Sequence, residues 1–332
     1  MLIQHIIALS GLAAAALFIF GLKRMSSPVT ALSGIVVAGI GMVVAVTASF
    51  LAIFDLPAEV GPYRTVNLIL ALLALCTGGG WAFLRGRKVE MTAMPQMVAL
   101  YNGMGGGAAA AVAAVELSAR AAPAALILAV TAAGALIGSI SLTGSVIAWA
   151  KLDGRIRKPW RFGGQRIVNG TLFLATLVLG IALVLFFGTP HFPLLAVLFF
   201  LGALVFGIMM TLPIGGADMP VVISLYNAFT GLAVGLEGYA LQNPALMIAG
   251  MVVGSAGTLL TVLMAKAMNR SLTNVLFSNF GDTAVQGSSE AHGEMKSADA
   301  SDAAIAMRYA STVIIIPGYG LAVAQAQQKL YE

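Results

Sequence analysis

Two asparagines pose the first chemical question in this sequence. Asn102 and Asn227 each stand seven residues after a proline, Pro95 and Pro220, inside long apolar runs. If each proline opens a helix, a rise of about 1.5 Å per residue places both amides roughly 10 Å into an apolar layer. A primary amide in hydrocarbon is costly unless it is paired. Both must then face a bundle interior, either lining a hydrated proton or ion path or bonding neighbouring helices as structural glue. Asp218, directly before Met219-Pro220, reads as a helix N-cap or as a charged gate at the mouth of such a path, and the two roles are compatible. Asparagine does not titrate near neutral pH. No His, Asp, Glu or Lys falls near the middle of any apolar run. A protonatable relay would therefore come from another subunit or from Asp218. Glu116 and Glu237 sit near the ends of their runs and read as surface carboxylates reaching for the interface. His5 and His191 read as interfacial and His292 as solvated.

A second constellation lies at the C-terminal end. Ser311–Ile316 has the pattern of a short buried strand, Pro317-Gly318-Tyr319-Gly320 turns, and a helical run starts at Leu321. Strand, glycine turn and helix are the setting of a dinucleotide fingerprint, here Gly318-x-Gly320-x-x-Val323. Glycines there let the backbone approach a pyrophosphate at a helix N-terminus. The third position is Val rather than Gly or Ala, and the sequence given stops at Glu332, so it is not expected to hold a nucleotide tightly by itself. The lone cysteine, Cys76, makes neither an internal disulfide nor a metal site. Three glycine clusters, Gly78-Gly79-Gly80, Gly103 with Gly105-Gly106-Gly107, and Gly250 with Gly254 and Gly257, read first as close helix packing. Passage for water beside the backbone is the second reading.

Nearly everything that positions these residues is apolar. Of 332 residues, 59% are hydrophobic and 9% charged, against roughly 25% charged in a soluble domain. Mean hydropathy is +0.95. Lipid is the expected solvent. The net charge of +5 does not argue for nucleic acid, because the basic residues sit between apolar runs. Runs long enough to span a membrane fall near 2–22, 30–53, 66–84, 92–115, 123–149, 167–187, 194–212, 219–241 and 244–268. The first is a spanning helix rather than a signal peptide, since Lys23 and Arg24 follow it. Thirteen Lys and Arg residues lie between or after the runs on one side, and only Arg64 and Arg120 on the other. The positive-inside rule then puts the N-terminus outside and the C-terminal tail in the cytoplasm.

The runs also repeat. Met94-Pro95-Gln96-Met97-Val98-Ala99-Leu100-Tyr101-Asn102 matches Met219-Pro220-Val221-Val222-Ile223-Ser224-Leu225-Tyr226-Asn227, 125 positions later. Each copy is followed by a segment from Gly-Ser to Ala-Lys, ending at Lys151 and at Lys266. Both copies run in the same direction, so the repeat is parallel. The expected architecture is an all-α polytopic membrane protein of about nine helices over 1–270. A polar linker over 271–310 follows, then the start of a truncated Rossmann-like α/β domain over 311–332.

Gly215-Gly216-Ala217-Asp218-Met219-Pro220-Val221-Val222, Lys266-Ala267-Met268-Asn269-Arg270-Ser271 and Pro317-Gly318-Tyr319-Gly320-Leu321-Ala322-Val323-Ala324-Gln325-Ala326-Gln327 resemble the beta subunit of proton-translocating NAD(P) transhydrogenases. Val89-Glu90-Met91-Thr92 through Pro95 adds to the likeness, which runs from about Arg85 to the end. The resemblance implies hydride transfer between NADH and NADP+ coupled to proton movement across a bacterial inner membrane. It implies a proton-conducting membrane domain, an NADP(H)-binding C-terminal domain, and an alpha-subunit partner that holds NAD(H), assembled as a dimer of alpha-beta units. By the same resemblance Asp218 is the carboxylate at the inner mouth, Asn227 belongs to the proton path, and Lys266 and Arg270 form the hinge to the nucleotide domain. Gly318, Tyr319, Gly320 and Val323 belong to the NADP fingerprint. Some members carry a membrane-embedded His where this chain has Asn102. Others take that His from the alpha subunit, which agrees with a borrowed relay here. The alternatives are a secondary transporter or ion channel built on the parallel repeat, and a purely structural scaffold.

Overall fold

A computed structural model describes residues 2–55, 63–118, 124–268, 299–316, 318 and 327–332. Among these residues nine helices are long and apolar enough to cross a membrane. They are α1 (Leu2–Met25), α2 (Ala31–Ala52), α3 (Arg64–Lys88), α4 (Met94–Leu117), α5 (Ala125–Leu152), α6 (Gln165–Leu185), α7 (Phe192–Thr211), α8 (Met219–Ala240) and α9 (Pro244–Ala267). Each matches an apolar run within a few residues. The starts follow local chemistry. Pro sits in the first turn of α4, α7, α8 and α9, where its missing N–H costs nothing. Asn243 caps α9 by accepting from the Leu246 N–H at 3.1 Å. Gly164, at φ +77°, supplies the left-handed residue that turns the chain into α6.

The chain divides into two compact units. The first comprises Met1–Val89 and Ala93–Gly281 and holds all nine helices; the second comprises Glu90–Thr92 and Asp282–Glu332. Within the first, α5 and α8 are the most enclosed spans, and α4, α7 and α9 pack around them. Tyr226, Phe199, Leu183 and Met219 are its largest fully buried side chains together with Glu237. α3 buries no residue. Leu, Ile, Val and Phe side chains stand exposed along the outer faces of these helices. This inverts the rule for water-soluble folds and fits a lipid solvent.

The repeat is visible as structure. A short 3-10 turn precedes each copy, Met91–Ala93 before α4 and Gly216–Asp218 before α8. α4 packs on α5 as α8 packs on α9. α4 and α8 also run in the same direction. The Asn102 carbonyl accepts from Thr230 near the middle of both, and Glu116 acts on Glu237 near their far ends.

Two of the three glycine clusters are packing sites. A Cβ at Gly250 would fall 2.7 Å from the Gly231 carbonyl oxygen, and one at Gly257 2.7 Å from the Ala228 N. α8 and α9 therefore touch backbone to backbone, the approach that small residues permit in membranes. Gly106 and Gly138 do the same for α4 and α5. Gly78, Gly79 and Gly80 have open space around them instead.

The C-terminal stretch departs from expectation. The segment read as linker contains a helix, α10 (Ala300–Tyr309), opened by a capping box. Asp299 accepts from the Asp302 N–H at 2.8 Å, and Asp302 accepts from the Asp299 N–H at 3.3 Å. Ser311–Ile316, read as a buried strand, is exposed and carries no regular structure, and no strand occurs among the described residues. A strand needs a neighbour for its N–H and C=O groups, and those residues offer none. A short helix, α11 (Gln327–Tyr331), closes the chain.

Candidate functional site

The polar interior lies where α4, α5 and α8 meet. Asn102 on α4 donates from Nδ2 to Ser145 Oγ on α5 at 2.9 Å, and more distantly to Ser141 Oγ at 3.5 Å. Ser141, fully buried, shares a 2.6 Å hydrogen bond with Thr230 Oγ1 of α8 and lies 3.0 Å from the Tyr226 carbonyl oxygen. Thr230 Oγ1 also donates to the Asn102 carbonyl at 3.4 Å. Amide, two serines and a threonine thus form one continuous seam across three helices. Hydroxyls both donate and accept, so the Ser141–Thr230 pair can reverse its direction by rotating O–H bonds, whereas the Asn102 amide nitrogen between the two serines only donates.

Glycine makes the seam possible. Cβ atoms at Gly103 and Gly106 would stand 3.0 Å and 2.9 Å from the Cβ atoms of Ser145 and Ser141, and one at Gly105 would stand 3.2 Å from Thr230 Cγ2. Side chains at those positions would push α4 off the serines and the threonine.

The end of the bundle below the seam is tied down by a buried lysine. Lys151, at the end of α5, donates from Nζ to the carbonyls of Thr211 at 2.9 Å, Leu212 at 2.5 Å and Ile214 at 2.5 Å. These carbonyls lie where α7 ends; Thr211 O also accepts from the Ile214 N–H and Leu212 O from the Trp160 N–H, and the ammonium adds the charge sign that a helix C-terminus favours. Arg161 Nε adds a bond to the Pro213 carbonyl at 3.1 Å. Thr211 Oγ1 and Tyr226 OH, 2.6 Å apart, fasten the same corner to α8. Gly144 leaves the space that the Tyr226 ring fills. Counted among loop cations by sequence, Lys151 is a buried clamp on the segment leading into Gly215-Gly216-Ala217-Asp218.

Asp218 stands at the N-cap position of α8, half-buried, at φ −89° and ψ −5°, and its side chain makes no capping bond to α8. Asn227 is half-buried on α8 and its side-chain amide makes no hydrogen bond among the described residues. The two repeat-related asparagines therefore differ: Asn102 joins the seam and Asn227 does not. Lys266 lies in the last turn of α9, while Arg270 lies outside the described residues. Gly318 is exposed, with open space at its α-carbon. Tyr319, Gly320 and Val323 lie outside the described residues.

Sequence reasoning missed Ser141, Ser145, Thr230 and Thr211. Each is a hydroxyl within an apolar run. No sequence signal marks them: the α4 glycines that face Ser141, Ser145 and Thr230 point to them only once the packing is known. It also misplaced Glu237, which is buried rather than at the surface. A groove of about 1050 Å³ runs along α8 and α9 past Leu232, Met251 and Val262. Its lining is almost wholly apolar and includes neither Asn102 nor Ser141.

Nine spans, a parallel repeat and a hydroxyl–amide seam at its centre define a polytopic helical membrane protein with a polar interior. A family model described as the NAD(P) transhydrogenase beta subunit matches residues 7–332. Two Rhodospirillum rubrum sequences named NAD(P) transhydrogenase subunit beta are each 38% identical over 341 residues, covering 96% of this chain and 68% of theirs. The chain belongs to the NAD(P) transhydrogenase beta subunit family.

Proposed function

We propose that this chain is the beta subunit of a proton-translocating NAD(P)+ transhydrogenase, which couples hydride transfer between NADH and NADP+ to proton movement across a bacterial inner membrane. The observation that supports this most is the seam from Asn102 through Ser145, Ser141 and Thr230 at the centre of the membrane bundle of a chain in this family. The secondary-transporter alternative has the parallel repeat and the membrane-embedded asparagines in its favour, and nothing in it accounts for membership of this family.

In this reading residues 1–270 conduct protons, 271–310 link, and 311–332 begin the NADP(H)-binding domain. NADP(H), when bound, supplies the carbon that accepts or donates hydride. This chain's own residues bind and gate. Gly318, Tyr319, Gly320 and Val323 hold the pyrophosphate against the backbone. Lys266 and Arg270 transmit its state to the bundle. Asp218 takes up or releases protons at the inner mouth. Lys151 and Arg161 keep the corner before Asp218 rigid, so that a shift of the linker changes access to the carboxylate rather than unravelling α7. The hydroxyls of Ser141, Ser145 and Thr230, with water between them, carry protons by relay, Asn102 holds the two serines in place by donating to both, and Asn227 lines the same route. The partner is an alpha subunit that binds NAD(H) and brings further membrane helices, in a dimer of alpha-beta units. The N-terminus lies outside.

The test is the complex with its alpha subunit, reconstituted in liposomes that contain a pH-sensitive dye. NADPH and an oxidised NAD analogue should drive a pH change that a protonophore abolishes. Asp218→Asn should remove the pH change along with proton-coupled turnover. Hydride transfer with no proton movement in the unaltered complex would sink the proposal.

A further inference from the structure

Glu237 lies three residues before the end of α8, at the end of the bundle away from Asp218. It is 1% exposed, and neither carboxyl oxygen has a hydrogen-bond partner among the described residues. The carboxyl lies flat on the backbone of α5: a Cβ at Gly134 would overlap Oε1 and stand 3.1 Å from Cδ. Gly134 is thus the residue that lets an acid sit between these two helices.

The charged groups around it are few. From α4 comes Glu116, half-buried, which acts on Glu237 with like charge. α5 brings only glycine and hydroxyl chemistry to this end, its one charged residue being Lys151 at the opposite end. α9 likewise holds only Lys266, at its far end. Among the described residues no cation faces the carboxyl. An ionised carboxylate with no cation, no donor and a second carboxylate beside it is among the least tolerable arrangements in a membrane interior. The neutral acid is not.

We propose that Glu237 is a proton-binding site in the outer half of the bundle, held as the neutral acid at rest and discharged through Glu116. This rests on the proton-translocation reading and supplies it with a titratable group that this chain owns. The step is a simple transfer. The O–H bond of Glu237 breaks, the proton passes to the Glu116 carboxylate, directly or through water, and Glu116 releases it to the outer solution. Glu237 is recharged from the seam, whose last member on α8, Thr230, stands two turns away along the same helix. Gly134 keeps space for the acid, and Glu116 returns the proton to water rather than to the seam.

The test uses the whole complex in lipid and two readouts. Infrared spectra of the unaltered complex near neutral pH should contain the C=O stretch of a protonated carboxylic acid. Glu237→Gln should remove it and Glu237→Asp should keep it. Proton pumping should fall about a hundredfold in Glu237→Gln, the lower end of what a positioned proton-transfer group contributes, and partly recover in Glu237→Asp. A spectrum unchanged by Glu237→Gln, or undiminished pumping in that variant, overturns the proposal. If the unaltered complex pumps no protons yet loses the band on substitution, the coupling reading fails while the buried acid stands.

Discussion

Replacing Lys151 with Met would keep most of the side chain's length and remove its charge. The carbonyls of Thr211, Leu212 and Ile214 would then lose their shared charged donor, Thr211 keeping only the Ile214 N–H and Leu212 only the Trp160 N–H. Losing charge-assisted bonds to buried acceptors should cost about 3 kcal/mol, read as a lower unfolding midpoint of the detergent-solubilised complex. Lys151→Arg should not rescue it, since a planar guanidinium cannot direct three donors into one compact cage. Asn102 and Asn227 make a matched pair of the opposite kind. Asn102→Leu breaks the bond to Ser145, worth about 0.6 kcal/mol for an interhelical hydrogen bond in lipid, and interrupts the seam. Asn227→Leu breaks no hydrogen bond among the described residues. Proton pumping should therefore fall more in Asn102→Leu, with both proteins folded. Equal losses would mean that the seam is not the route.

At the scale of elements, the glycines of α8 and α9 set how close the two helices lie. Gly250→Ala drives a methyl into the Gly231 carbonyl, a backbone atom that cannot swing aside, so the helices must part along their length. Overpacking of this sort costs about 1–3 kcal/mol. Gly170→Ala on α6 meets open space and should stabilise by up to about 1 kcal/mol through helix propensity. Thermal unfolding of the two variants should move in opposite directions. α10 responds to pH instead. The Asp299 carboxyl is held below its ordinary range by the Ser301 hydroxyl and then by the Asp302 N–H. A depressed carboxyl contributes helix stability above its unfolded value and loses it as pH falls through the folded one. Circular dichroism of a 299–310 peptide should show helix lost on acidification, and Asp299→Ala should show little such change.

These elements also mark where sequence sufficed. Length and apolarity alone place nine spans, because lipid demands that every backbone group be satisfied within a helix. The match of Met94–Asn102 to Met219–Asn227 similarly predicts two helices that start alike. Partner choice is different. Ser141 and Ser145 carry no mark that separates them from Ser139, and only packing decides that the first two face Asn102. Glu237 sits near a helix end, which by position is where carboxylates are solvated. What buries it is Gly134, 103 positions away in sequence, and no local pattern reports that meeting.

For the whole molecule the outstanding quantity is direction. Thirteen cations against two predict an orientation by the positive-inside rule, and orientation decides whether Asp218 opens to the cytoplasm and Glu237 to the outside. The chain carries a single cysteine, Cys76, so a cysteine-free Cys76→Ser background is easily made. Ser118, just after α4, and Lys158, between α5 and α6, are both exposed and lie at opposite ends of α5. A membrane-impermeant maleimide should label Ser118→Cys in intact cells and Lys158→Cys only in inverted vesicles. Both sites report through the same helix, so a consistent exchange of the two patterns would invert the bundle as a unit. Asp218 would then face outward and could not be gated by a cytoplasmic nucleotide domain. Labelling of both from one side would instead break the antiparallel course of α4 and α5 on which the seam is built.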